Sequence, residues 1–152
     1  MNPNHTLKKV DTREYITVLE DLLRNQKSVK VPVSGNSMSP FLISERDCVL
    51  VQTPKHPLKK GDIVLFKRNS GQFILHRICK IQNGEFYILG DAQTMIEGPV
   101  PREQIIGLVV KARRKGIWID EGDCWWRFFQ HVWIRIIPLR PFLRYMYGLV
   151  ST

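Results

Sequence analysis

Ser37 stands in VPVSGNSMSPFL, residues 31–42, where Ser34, Gly35, Asn36, Ser37 and Ser39 crowd a turn that Pro40 closes. A serine on a tight turn with small neighbours is open to a substrate carbonyl, and the N–H groups around it are free to receive an oxyanion. The hydroxyl needs a base. His5 lies at the N-terminal tip, His56 in a loop flanked by prolines and His131 in an aromatic tail. His76 sits in a strand-like run, FILHRIC, where Phe73, Leu75 and His76 break strict alternation. A neutral imidazole there could take the serine proton. The third need is a carboxylate that orients the imidazole. Asp91 follows Gly90 where EFYILG runs into a loop, and Glu97 is the other acid of that loop. Taken singly, each residue has an ordinary structural reading: a turn serine, a core or surface histidine, an aspartate that forms a turn. Their joint order is what suggests acyl transfer.

Short strands are the elements able to position these groups. VKVPV, DCVLVQ, DIVLFK, QFILHRICKI, EFYILG, IIGLVVKAR and GIWI are β-branched or aromatic runs. Turn residues punctuate them, as at Lys60-Gly61-Asp62, Asn69-Ser70-Gly71, Asn83-Gly84 and Lys115-Gly116. Asn69-Ser70-Gly71 and Asn83-Gly84 are predicted hairpin loops, the second of type I′. Strands this closely spaced predict a mainly β chain, a small antiparallel β-barrel or sandwich. Ahead of them, Tyr15, Val18, Leu19, Leu22 and Leu23 recur at helical spacing. They predict one helix over 11–26 with Asp11 or Thr12 as N-cap. One helix is too little for a helix-turn-helix. The chain is expected to divide into an N-terminal helical segment 1–28, a β-rich domain 29–120 and a C-terminal segment 121–152.

The 152 residues carry a formal net charge of +9, with 43% apolar and 24% charged residues. These proportions exclude wholesale disorder, and the positive excess asks for an anionic partner, either nucleic acid or a membrane surface. Cys48, Cys79 and Cys124 form no CxxC pair, so no metal site, disulfide framework or cofactor is expected. Free thiols suit a reducing compartment. The N-terminus has no signal-peptide core, and no run reaches the roughly 20 apolar residues of a transmembrane helix.

In order and rough spacing, SGNSMSPFL, KKGDIVLF, ILHRICKI, YILGDAQ and VPREQIIGLV resemble the boxes of the signal peptidase I-like family. That family shares a β-rich serine-peptidase fold with the LexA-type repressor peptidases. The resemblance implies that Ser37 is the nucleophile, with Met38 beside it. It implies that His76, followed by Arg77, is the base, as in the endoplasmic-reticulum-type Ser-His variety rather than the lysine variety. Asp91 matches the family's acid near the site, and Glu97 stands about where a second acid, an aspartate, is expected. Either is left as the orienting carboxylate. Some relatives place a serine two residues before the nucleophile, where this chain has Gly35. Backbone N–H groups with Ser34 or Asn36 are then left for the oxyanion. In place of the family's N-terminal transmembrane helix stands a soluble-looking helix that contains acids.

The last segment, DCWWRFFQHVWIRIIPLRPFLRYMYGLV, holds three of the four tryptophans, and no acid follows Asp123. Pro138 and Pro141 are predicted to break it into two short helices. Two uses compete for it: packing on the domain to finish its core, or an interfacial anchor with aromatics at headgroup depth. The interleaved arginines favour the anchor, in which Trp125, Trp126, Trp133, Arg127, Arg135, Arg140 and Arg144 meet anionic lipid. Nucleic acid is the less expected partner. The expectation is a serine endopeptidase that cleaves a leader, signal or propeptide through a Ser37–His76 dyad or triad. Its substrate is a peptide or preprotein held as an extended strand, and its location cytoplasmic with peripheral membrane association. The rivals are an inactive peptidase-like protein that binds peptides or membranes, and a LexA-like DNA-linked regulator.

Overall fold

Leu19 and Leu23 lie one helical turn apart and are buried, while Tyr15 and Val18 remain exposed. That one-sided burial holds α1 (Thr12–Arg24) against the sheet, where it packs on β1 (Val29–Pro32) and β7 (Ile105–Arg114). The computed structural model describes residues 12–150, so His5 and Asp11 lie outside the described residues. Between β1 and β7 run β2 (Cys48–Gln52), β3 (Ile63–Lys67), β4 (Phe73–Gln82), β5 (Glu85–Leu89) and β6 (Glu97–Val100). β8 (Ile117–Ile119) follows β7.

The strands form one antiparallel sheet in the order β1-β2-β7-β3-β4-β5-β6, with β8 paired to β7. β1 and β6 are left as unjoined ends, so the sheet is open, not a closed barrel. Register shifts at Leu50/Val51, Leu65/Phe66, Ile78/Lys80 and Phe86/Ile88 interrupt its ladders, and such bulges bend and twist a sheet. Two hairpins form where turn chemistry predicts them. Asn83 and Gly84 both take positive φ, 53° and 74°, as a type I′ turn requires. At the β3–β4 turn Gly71 has φ 89° and Arg68 N–H donates to Gln72 O at 2.8 Å.

β3 lies near the middle of this order and is buried on both faces. Ile63 and Leu65 join one core with Leu19, Leu23, Phe41, Val49 and Val109. Val64 and Phe66 join the other with Ile78, Phe86, Ile88 and Val100. The alternation of the strand, period two, is what feeds both.

The C-terminal segment folds back onto this body. Asp123 caps α2 (Cys124–His131), accepting from Trp125 N–H at 2.8 Å and Trp126 N–H at 3.2 Å. Trp126, Phe129 and Trp133 complete the first core, and Ile134 packs with Cys79 and Leu89 on β4 and β5. Two 3-10 turns, Trp133–Arg135 and Ile137–Leu139, lead into α3 (Arg140–Val150). Pro138 lies inside the second turn, and Pro141 stands in the first turn of α3, where a missing N–H costs nothing.

Candidate active site

The Ser37 turn is built on buried anchors. Val33, Met38, Phe41 and Leu42 are all core residues, while Ser34, Gly35 and Asn36 are exposed and Ser37 is half-buried. Gly35 supplies the positive φ of 74° that the turn needs. The turn closes through Ser39 N–H on Asn36 O and Leu42 N–H on Met38 O. Among the described residues, the N–H groups of Gly35, Asn36, Ser37 and Met38 donate to no protein acceptor, so they remain available to a developing oxyanion. Met38 itself is a core side chain, and what it can offer a substrate is its backbone.

The loop after β5 supports Ser37 from below. Ala92 N–H donates to Ser37 O at 2.9 Å. Gly90 lies so close that a Cβ there would overlap the Ser37 carbonyl and come within 3.0 Å of Ser37 Cβ. His76 approaches from β4. The β4–β5 ladder pairs Arg77, the residue after His76, with Leu89, the residue before Gly90. The same strand pairs His76 with Val64 on its other side, and the imidazole lies 6.1 Å from the Phe66 ring centroid. Ser37 is thus seated on Gly90 at the end of β5, the strand that pairs with the one carrying His76, and among the described residues no hydrogen bond joins Ser37 to His76. A cavity of about 940 Å³ between β2, β7 and α2 is lined by His56, Asp62, Trp126 and Gln130 and includes neither residue.

His76 is 3% exposed, and its Nδ1 has no hydrogen-bond partner. Burial pushes its pKa down to about 4, opposed by the negative charges of Glu97 and Asp91 and assisted by Arg68. The imidazole is therefore neutral at pH 7, the form in which it accepts a proton.

Neither acid expected to orient His76 is bonded to it. Arg77 Nε and Nη2 reach the two Asp91 oxygens at 2.8 Å each, in a pair that is almost wholly buried. Arg77 Nη1 also donates to Gly61 O at 2.9 Å, and the guanidinium lies 5.2 Å from the Phe41 ring centroid. A bidentate pair fixes geometry as well as charge, so Asp91 serves to pin its loop to β4. Glu97 Oε1 is 2.7 Å from Arg68 Nη2 near the surface. The acids act on His76 through their field alone.

Three residues expected at a lipid surface are turned inward. Trp126 and Trp133 are core side chains, and Arg140 is fully buried. They are unavailable to a bilayer because the sheet and the loop after β5 claim them. Trp125, Arg127, Arg135 and Arg144 remain exposed. Sequence reasoning passed over Arg77 and Gly90. The signal was present in the Arg that follows His76 and in the small residue before Asp91, but their partners lie far away in the chain.

The Peptidase S24-like family model matches residues 4–110, a span that contains Ser37, His76, Asp91 and Glu97 and ends within β7. No curated protein matches the chain. With that match covering more than half of its residues, on an antiparallel sheet with flanking short helices, the chain belongs to the Peptidase S24-like family.

Proposed function

We propose that the protein is a serine endopeptidase with Ser37 as nucleophile and His76 as general base. The observation that carries this reading is the seat of Ser37 on Gly90, at the end of the strand paired with β4, whose His76 has a buried, neutral imidazole with an unpartnered nitrogen. Ser37 Oγ attacks the scissile carbonyl carbon while its proton passes to His76. The oxyanion is received by free N–H groups of the Gly35–Met38 turn. Collapse breaks the C–N bond, the imidazolium returns the proton to the leaving amine, and water then hydrolyses the acyl-enzyme by the same base. The hydrogen bond between the two residues forms on substrate binding, as catalytic hydrogen bonds often do. The substrate is an extended leader, signal or propeptide segment.

The setting we propose is a membrane surface. Phe142, Tyr145 and Met146 of α3 are exposed, as are Met95 and Ile96 in the loop that supports Ser37. Arg144 stands between Phe142 and Tyr145 in the chain, Arg135 is exposed ahead of them, and no acid follows Asp123. Apolar side chains interleaved with arginine suit an anionic headgroup layer. No helix among the described residues is long and apolar enough to cross a membrane.

Labelling by a fluorophosphonate probe tests the chemistry. Ser37 of the native protein should be phosphonylated with release of fluoride, and Ser37→Ala should lose labelling altogether. Equal labelling of the two would sink the proposal. One observation favours the inactive, peptide-binding reading: both candidate orienting acids are held by arginines. Stable binding of extended peptides, uncleaved and indifferent to His76→Ala, would decide for it.

A further inference from the structure

All four carbonyl groups of Gly90–Gln93 accept hydrogen bonds from one later stretch of chain, residues 133–144. Arg140 Nη1 donates to Gly90 O at 3.2 Å and to Gln93 O at 2.9 Å. Trp133 Nε1 donates to Asp91 O at 2.8 Å, and Arg144 Nη1 to Ala92 O at 3.0 Å. Arg140 Nε and Nη2 bind Trp133 O at 3.3 and 3.1 Å, tying the donors to one another. Its guanidinium also lies 5.4 Å from the Trp133 ring centroid.

A fully buried guanidinium is costly to desolvate, and the groups Arg140 bonds here are carbonyls rather than a carboxylate. Asp91 acts on Arg140 through its field alone, while the hydrogen bonds of Arg140 span the loop that carries the Ser37 support. On its inner side that loop gives Ala92 N–H to Ser37 O and places Gly90 under Ser37 Cβ.

We propose that Arg140, together with Trp133 and Arg144, is a positioning residue for the nucleophile. It fixes the Gly90–Gln93 backbone and through it the direction of Ser37 Oγ toward His76. The inference rests on Ser37 as nucleophile, and it assigns a role in acyl transfer to a segment that lies beyond the family match. Freed of these donors, the loop shifts and Ser37 leaves its line of attack. A misplacement of about 1 Å costs on the order of 100-fold in rate.

The test is the maximal rate of Ser37 labelling by a fluorophosphonate, measured on the full chain, with the concentration for half-maximal rate determined separately. Trp133→Phe deletes the indole N–H and leaves a smaller aromatic ring in the core; Arg140→Met removes the guanidinium. The expected losses in maximal rate are about tenfold and about 100-fold respectively, with the half-maximal concentration nearly unchanged. Leu19→Ala, which weakens the core beneath α1, should label at the native rate while folded, so that lost stability alone does not imitate the effect. Native maximal rates in folded Trp133→Phe and Arg140→Met would overturn the proposal. Should Arg140→Met not fold, Trp133→Phe decides alone. Failure of the nucleophile itself would show differently, as absent labelling of the native protein or full labelling of Ser37→Ala. Amide exchange at Ala92 then still tests the brace: protection lost in Trp133→Phe upholds it, and protection unchanged removes it.

Discussion

His76 is held in its neutral form by burial, its pKa near 4, and two consequences follow at the scale of the residue. Labelling of Ser37 should be level near neutrality and fall as pH drops through about 4, where the imidazole takes a proton and can no longer accept the serine's. Stability should move earlier. The unfolded imidazole protonates near pH 6.5, so the contribution of the buried neutral form is complete above that pH and is lost as pH falls toward 4. Its size is about 3 kcal/mol. Urea unfolding of the native protein and of His76→Gln between pH 4 and 7 should show the difference as a steeper fall in the native protein. Parallel profiles would refute it. Ser37 and His76 could be proposed as a pair from their motifs, because a nucleophile and a base must carry particular side chains. The engagement of Asp91 by Arg77 could not. A carboxylate's partner is chosen by which side chain the fold brings within about 3 Å, and His76 and Arg77, being neighbours on a strand, point to opposite faces.

At the scale of the element, the C-terminal segment shows how a composition can be legible while its direction is not. Aromatic and basic residues are interleaved along the whole segment, so its sequence does not say which side faces in. The sheet decides: Trp126 and Trp133 fill the core, Arg140 meets carbonyls, and Phe142 and Tyr145 are left 62% and 66% exposed. The membrane reading therefore narrows to this outer side. Replacing Phe142 and Tyr145 by serine should lower flotation with phosphatidylserine-containing vesicles about tenfold or more, since each side chain buries apolar surface worth roughly 1.5–3 kcal/mol. Unchanged near-ultraviolet circular dichroism would show that the fold survives. Equal flotation of native and doubly substituted protein would exclude α3 as the contact. Retention on DNA that weakens steeply with salt would turn attention to nucleic acid instead.

For the whole molecule, the folding unit is larger than the family match. A chain ending at Gly122 would lose Trp126, Phe129 and Trp133 from the first core, at about 1.5–3 kcal/mol or more apiece. Against a usual total of 5–15 kcal/mol, it should lose cooperative unfolding and bind a hydrophobic dye. A sharp thermal transition in that shortened chain would refute the claim. The antiparallel character of the sheet was legible in its short strands and turn residues, because those signals are local. Its openness was not, since closure depends on whether the first and last strands meet. The same separation in sequence gives the brace on the Ser37 loop a meaning in time. Gln93 precedes Arg140 by 47 positions, which at ribosomal speed is a delay of about 2 to 9 s. During that interval the Ser37 turn exists without its outer support. On the proposed reading, a nascent chain emerges with Ser37 unbraced, and acyl transfer there stays slow until synthesis has passed α3.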